Sequence, residues 1–241
     1  MSKLSGRQDS TLQPSTGRKK GDSCFAGLQS AHRGCDVTID KLPGRAAGVV
    51  NCLSSSRMNY VIRKATLDDR VAIEELIVES ARNLSREDYS ERQIEAAIKT
   101  VFGVDTDLIV DGTYFVAESS QMLVGCGGWS RRRTLFGGDR FAERDSSALD
   151  PKREAAKIRA FFVHPQWARK GIGRALLAAC EDEARAQGFR SLELMSTLPG
   201  LKLYRAYGYE GFERVTYELG DGVEIEFVPM RKDLLSQKAQ N

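Results

Sequence analysis

The chain has 241 residues, 29% of them charged and 41% apolar, with a formal net charge of +3 at pH 7. That length suits one sizeable domain plus an extension, and no apolar run approaches the roughly 18 residues that a membrane-spanning helix needs. Charge is uneven: residues 1–57 hold nine basic and four acidic residues and the remainder 27 and 29, so the larger part lacks the concentrated basic face of a nucleic-acid reader.

In chain order, residues 1–57 are rich in Ser, Gly, Lys and Arg and show neither apolar periodicity nor a signal-peptide core. Such a segment cannot offset its ordering entropy by burial. It reads as a disordered or weakly ordered extension, with Val49–Leu53 as the stretch best suited to local packing. Residues 58–241 read as the folded domain. Met58 directly precedes the first strand, which suggests a dispensable extension or a translation start at Met58. A soluble, cytoplasmic protein is expected. The five cysteines are odd in number and form no CxxC pair, so no zinc site or disulfide framework is expected. Cys126 and Cys180 are expected to be buried apolar groups.

Tyr60–Arg63 reads as a strand. Thr66 followed by Asp69 resembles a capping box, and Ile73, Leu76, Ile77 and Ser80 repeat at helical spacing. Ser90 followed by Gln93 caps a second helix with its stripe at Ile94, Ala97, Ile98 and Val101. Strands over 113–118 and 123–129 flank a hairpin turn at Ser119–Gln121. Residues 131–156 form a long polar connection, of a length usually functional or mobile. A strongly apolar strand over 157–163, a helix over 171–187 stopped by Gly188, a strand over 192–195, a short helix over 201–207 and a strand pair over 212–219 and 223–230 complete a mixed α/β pattern.

The most informative stretch runs from Val163 to Leu177, where an apolar strand ends and a helix opens on Gly171 and Gly173. A helix's first turn carries free N–H groups and the positive dipole end, a ready phosphate site. The missing Cβ atoms let a diphosphate approach, and Arg169, Lys170 and Arg174 add positive charge. A Walker loop is excluded by the absence of GxxxxGK followed by Ser or Thr. A dinucleotide fingerprint is excluded by Leu176, which stands where its third glycine belongs.

This stretch resembles the cofactor motif of the GNAT acetyltransferases: Arg or Gln, two residues, Gly, one residue, then Gly or Ala. Gly171 and Gly173 match; Ala168 stands at the leading position, with Arg169 one place later. Tyr204, four residues before Gly208-Tyr209, resembles the family's later tyrosine motif. The resemblance covers about residues 58–232 in element order. It implies a mixed, mostly antiparallel central sheet flanked by helices, and acetyl transfer from acetyl-CoA to a small-molecule or protein amine, with a homodimer as a further expectation. The alternative on the same fold is a non-catalytic acyl-CoA-binding or regulatory module.

The resemblance further implies that Arg169, Lys170, Gly171, Ile172, Gly173 and Arg174 hold the diphosphate. It gives the pantetheine arm and thioester carbonyl to backbone groups of Phe162 and Val163, and makes Tyr204 the general acid. Tyr207 and Tyr209 are expected to pack. For the base, Glu118 at a strand end, His164 after the cofactor strand and a water relay all stay open. No Cys-His or Ser-His-Asp arrangement is evident, which favours direct transfer. Arg131–Arg133 read as a solvated loop, with contact to the CoA 3′-phosphate the lesser reading. Acceptor selectivity is expected from the first two helices and the 131–156 connection.

Overall fold

The computed structural model describes residues 50–51, 59–141 and 143–235. Eight strands form one sheet: β1 (Val50–Asn51), β2 (Val61–Lys64), β3 (Tyr114–Ser119), β4 (Met122–Ser130), β5 (Ala156–Val163), β6 (Ser191–Thr197), β7 (Val215–Glu218) and β8 (Glu224–Asp233). Their order is β1-β2-β3-β4-β5-β6-β8-β7. Every neighbouring pair is antiparallel except β5–β6. The rest of residues 1–57, and the expectations about that extension and about Met58, lie outside the described residues.

Helices α1 (Arg70–Leu84), α2 (Glu91–Thr100) and the short α3 (Thr106–Val110) lie between β2 and β3; α4 (Ile172–Ala186) and α5 (Leu201–Ala206) flank β6. The Thr66 pair closes a three-residue 3-10 turn ahead of α1, with the Thr66 N–H donating to Asp69 Oδ2 at 2.7 Å. Ser90 and Gln93 cap α2 reciprocally. The β3–β4 turn puts Ser120 and Gln121 at φ 49° and 67°, the two-residue geometry that matches strand twist. Helix α3 escaped the sequence reading because five residues ending in Leu-Ile-Val carry no helical period.

Two apolar layers hold the sheet. One packs Ile73, Leu76 and Ile77 of α1 and Ile94 and Ala97 of α2 against Tyr114, Val116 and Cys126. The other packs Ile172, Leu176 and Leu177 of α4 against Ala117, Val124, Ile158 and Leu194. Cys126 and Cys180 are fully buried and free, and burial pushes both thiols up, Cys126 to about 12. No helix among the described residues is long and apolar enough to cross a membrane.

The feature that positions the site is a split in the sheet. Strands β5 and β6 pair only over Ala156–Ile158 and Leu192–Leu194, and β5 then continues to Val163 without that neighbour. The register of β4 against β5 slips between Cys126 and Gly128, where Ala160 adopts φ 54°. This is a bulge on β5, an extra residue that re-aims the remainder of the strand. Its carbonyl accepts from Tyr114 Oη at 3.3 Å, and a Cβ at Gly127 would lie 2.7 Å from the Phe161 ring. Ion pairs tie the 131–156 connection to the elements before it. Arg132 grips Asp111 with two bonds of 2.7 Å, Arg140 pairs with Glu74 at 2.6 Å, and Arg144 pairs with Asp105 and Asp107 at 2.8 and 2.7 Å.

Candidate active site

At the end of β5, Pro165–Trp167 forms a 3-10 turn and α4 begins at Ile172. Arg169 and Gly171 both have positive φ, 63° and 86°. A side chain at φ > 0 is strained, and Arg169 adopts that conformation all the same. Positive φ at Arg169 and Gly171 is the backbone sense found in the turns whose successive N–H groups bind anions. This stretch adjoins the first turn of α4, whose N–H groups have no intrahelical acceptor. Beyond Gly171 and its chain neighbours, no atom lies within 4 Å of where a Cβ there would stand. Arg169, Lys170 and Arg174 are exposed and have no carboxylate within ion-pair distance among the described residues. Arg131, Arg132 and Arg133 are instead each paired, to Asp111, Asp111 and Glu154. Of these six basic residues, the three without a carboxylate partner are those at the glycine turn.

The other predicted residues gather around it. A Cβ at Gly173 would lie 3.2 Å from Leu203 Cδ2 and 3.9 Å from Val163 Cγ2, so the turn, the end of β5 and α5 meet. Tyr204 on α5 is buried, 6.3 Å edge-on to Phe161 and 5.7 Å from Tyr209. Burial first, and then nearby Cys180, push its hydroxyl up. Tyr204 Oη makes no hydrogen bond among the described residues. Tyr209 is 2% exposed, and Tyr207 carries the Arg174 guanidinium 5.7 Å above its ring.

His164 donates its N–H to Val124 O at 3.0 Å. Strand alternation then turns the N–H groups of His164 and Phe162 toward β4, and those of Phe161 and Val163 toward the side that β6 has left. Val163 donates there to Ser80 Oγ of α1 at 3.3 Å. Phe161, not Phe162, thus presents its amide to the split alongside Val163. The bulge shifts the expected position by one residue, and a bulge leaves no clear mark in sequence. Ser80 had one: a hydroxyl on the apolar stripe of α1.

The two candidate bases are both engaged. His164 Nδ1 accepts from Gln166 N at 3.2 Å, and Nε2 lies 3.3 Å from Glu79 Oε2. Glu118 does not join the group: it sits on β3, which β4 separates from β5, and its Oε2 takes Arg63 Nε at 2.6 Å. Arg63 also holds Asp69, whose carboxyl is pulled down to about 2, chiefly by that hydrogen bond.

The comparisons with known proteins point the same way. The sequence profile of the acetyltransferase (GNAT) family matches residues 71–209. An aminoglycoside N(6′)-acetyltransferase type 1 from Stenotrophomonas maltophilia is 40% identical over 63 residues, which span 25% of this chain and 41% of that relative. Among solved structures, a GCN5-related N-acetyltransferase from Rhodopseudomonas palustris superposes with TM-score 0.53 at 21% identity, over 72% of this chain and 94% of that one. The PaiA N-acetyltransferase of Thermoplasma acidophilum, in complex with coenzyme A, gives 0.50 at 19% identity over 73% and 99%. These structures share the fold, and the profile match covers more than half of the sequence. A sheet split beside a glycine turn and a matching profile lead to one conclusion: the chain belongs to the acetyltransferase (GNAT) family.

Proposed function

We propose that the protein transfers the acetyl group of acetyl-CoA directly to a primary amine. The observation that carries this is the exposed turn at Arg169–Gly171, with its positive φ angles and three cations that lack a carboxylate partner, set at the end of a strand that has lost its neighbour. Acetyl-CoA, when bound, supplies an activated acyl group whose transfer forms an N–C bond and breaks a C–S bond. The N–H of Phe161 faces the split and suits the developing oxyanion, as a preorganised donor should. Tyr204 Oη, protonated and without a partner, gives its proton to the departing sulfur. The amine's own proton leaves to solvent, because Glu118 and His164 are already committed to Arg63 and to Gln166 with Glu79.

Calorimetric titration of the full chain with acetyl-CoA and with CoA tests the reading. Binding is expected, weakened at least about tenfold in Gly173→Trp, since an indole there fills the gap to Leu203 and Val163 and blocks close approach to the backbone. A folded parent that binds neither ligand overturns the proposal. Where binding holds, an amine panel that includes aminoglycosides, the class named for the Stenotrophomonas maltophilia relative, locates the acceptor.

His164 serves this site as a positioning residue that caps the turn before the glycine loop. His164→Ala should raise the KM for acetyl-CoA about fivefold, the worth of a lost cap of about 1 kcal/mol, with kcat little changed. A large fall in kcat at constant KM would instead make it the base.

A further inference from the structure

Four aromatic rings gather in the apolar layer that α1 and α2 share with the sheet. Phe136 of the 131–156 connection lies 4.8 Å from Phe141, 5.2 Å from Tyr217 of β7 and 5.6 Å from Phe227 of β8, centroid to centroid. Both sides of the split hold this group. On one side, Arg159, the residue before the Ala160 bulge, donates to the carbonyl of Gly137, next to Phe136. On the other, Phe227 is the register partner of Thr197, from which the chain turns into α5 and Tyr204. Phe141 and Phe227 are buried, while Phe136 and Tyr217 are partly exposed. Arg159, which holds Gly137, stands two residues before Phe161 on β5, and Ala160 and Phe162 pack against the same apolar cluster as Phe136 and Tyr217.

The charges around it are mostly spent. Asp105 and Asp107 hold Arg144, Asp139 holds the N–H of Thr106, Glu74 holds Arg140, and Glu226 holds Arg214 at 2.8 Å. Glu143 has no cation within ion-pair distance among the described residues. It lies close enough to Tyr217 to add to burial in pushing that hydroxyl up. Tyr217 Oη makes no hydrogen bond among the described residues. The partly exposed residues of this group are one aromatic hydrocarbon and one phenol, with Glu143 as the carboxylate beside them, a lining that suits an apolar body better than a polyhydroxylated polycation.

We infer that the acceptor is a monoamine carried on an aromatic or broad apolar body, which lies against Phe136 and Tyr217 while Glu143 attracts its ammonium group. The inference rests on the acetyl-transfer reading above and names its substrate class. Aromatic pairing in offset or edge-on geometry supplies the recognition, and the unpaired carboxylate supplies the steering.

The test is steady-state acetylation by the full chain, monitored by thiol release, with 2-phenylethylamine, tryptamine, spermidine and kanamycin. The kcat/KM for the two arylalkylamines should exceed that for spermidine and kanamycin by about tenfold or more, the scale on which an apolar pocket discriminates. Tyr217→Ala should raise the KM for 2-phenylethylamine about tenfold, with Tyr217→Phe near the parent, as loss of a ring contact requires. Acetyl-CoA affinity, measured by calorimetry, should not change in either variant. Preference for spermidine or kanamycin, failure of both arylalkylamines to turn over in a protein that binds acetyl-CoA, or an equal effect of Tyr217→Ala on every acceptor overturns the inference and leaves acetyl transfer standing. Loss of acetyl-CoA binding in the folded parent removes both.

Discussion

Tyr204→Phe should lower kcat about 100-fold, at the lower end of what a positioned general acid contributes, and leave acetyl-CoA affinity nearly unchanged. The ring stays in place against Phe161 and Tyr209, so packing survives and only the proton donor is lost. The hydroxyl's raised pKa fixes the sign of the pH dependence. Burial disfavours the phenolate, so the group stays protonated beyond its ordinary value of 10.0 and remains a competent acid throughout the working range. The rate should then climb between about pH 6 and 9 as the amine, with a pKa near roughly 10.4, loses its proton, with no alkaline decline from Tyr204 below about pH 10. Tyr209→Phe is the control, expected to leave kcat near the parent's. A Tyr204→Phe enzyme with parental kcat and an unchanged profile would remove the phenol from the reaction and leave solvent to protonate the sulfur.

Legibility in the sequence tracked the range of the interactions involved. The glycine turn was legible because its parts lie within a few residues: a strand end, two glycines, three cations and the helix whose bounds, Ile172–Ala186, fall one residue inside the predicted ones at each end. The capping residues Ser90 and Gln93 were local in the same way. Glu118 and His164 stayed open as bases because the carboxylate or cation that engages each is distant in sequence: Arg63 is 55 residues before Glu118, and Glu79 sits on another element from His164. The partners of the 131–156 connection were not legible because Asp105, Asp107, Asp111 and Glu74, with which it pairs, precede it by whole elements. The bulge is the clearest case. Nothing in Arg-Ala-Phe-Phe-Val marks Ala160 as the residue at φ 54°, yet a one-residue shift exchanges which amides face the split. Helical and capping signals are short-ranged, whereas register and ion pairing are decided by partners across the sheet.

The second large effect concerns the support of that bulge. Arg159 and Asp105 are 2.6 Å apart with side chains 1% and 0% exposed, and Asp105 also accepts from Arg144 at 2.8 Å. Asp105→Asn should cost about 3–5 kcal/mol, because it leaves the buried Arg159 guanidinium without its carboxylate and takes from Arg144 one of the carboxylates that hold it, Asp107 and Asp139 remaining. That is a large fraction of a typical domain stability of about 5–15 kcal/mol. Arg159→Met should cost less, for two reasons. Asp105 keeps Arg144, and the substitution also removes Arg159 Nε and Nη1, which are buried without a hydrogen-bond partner among the described residues. Urea unfolding with linear extrapolation reads both values. The functional readout should invert the order of stability. Arg159 is the group that holds Gly137 beside the bulge, so at a temperature where both variants are folded Arg159→Met should lose acetyl transfer through a raised acceptor KM, while its melting point stays nearer the parent's. Equal destabilisation by the two substitutions, or an Arg159→Met enzyme with parental acceptor KM, would mean that the pair fills space without aligning β5 against the 131–156 connection.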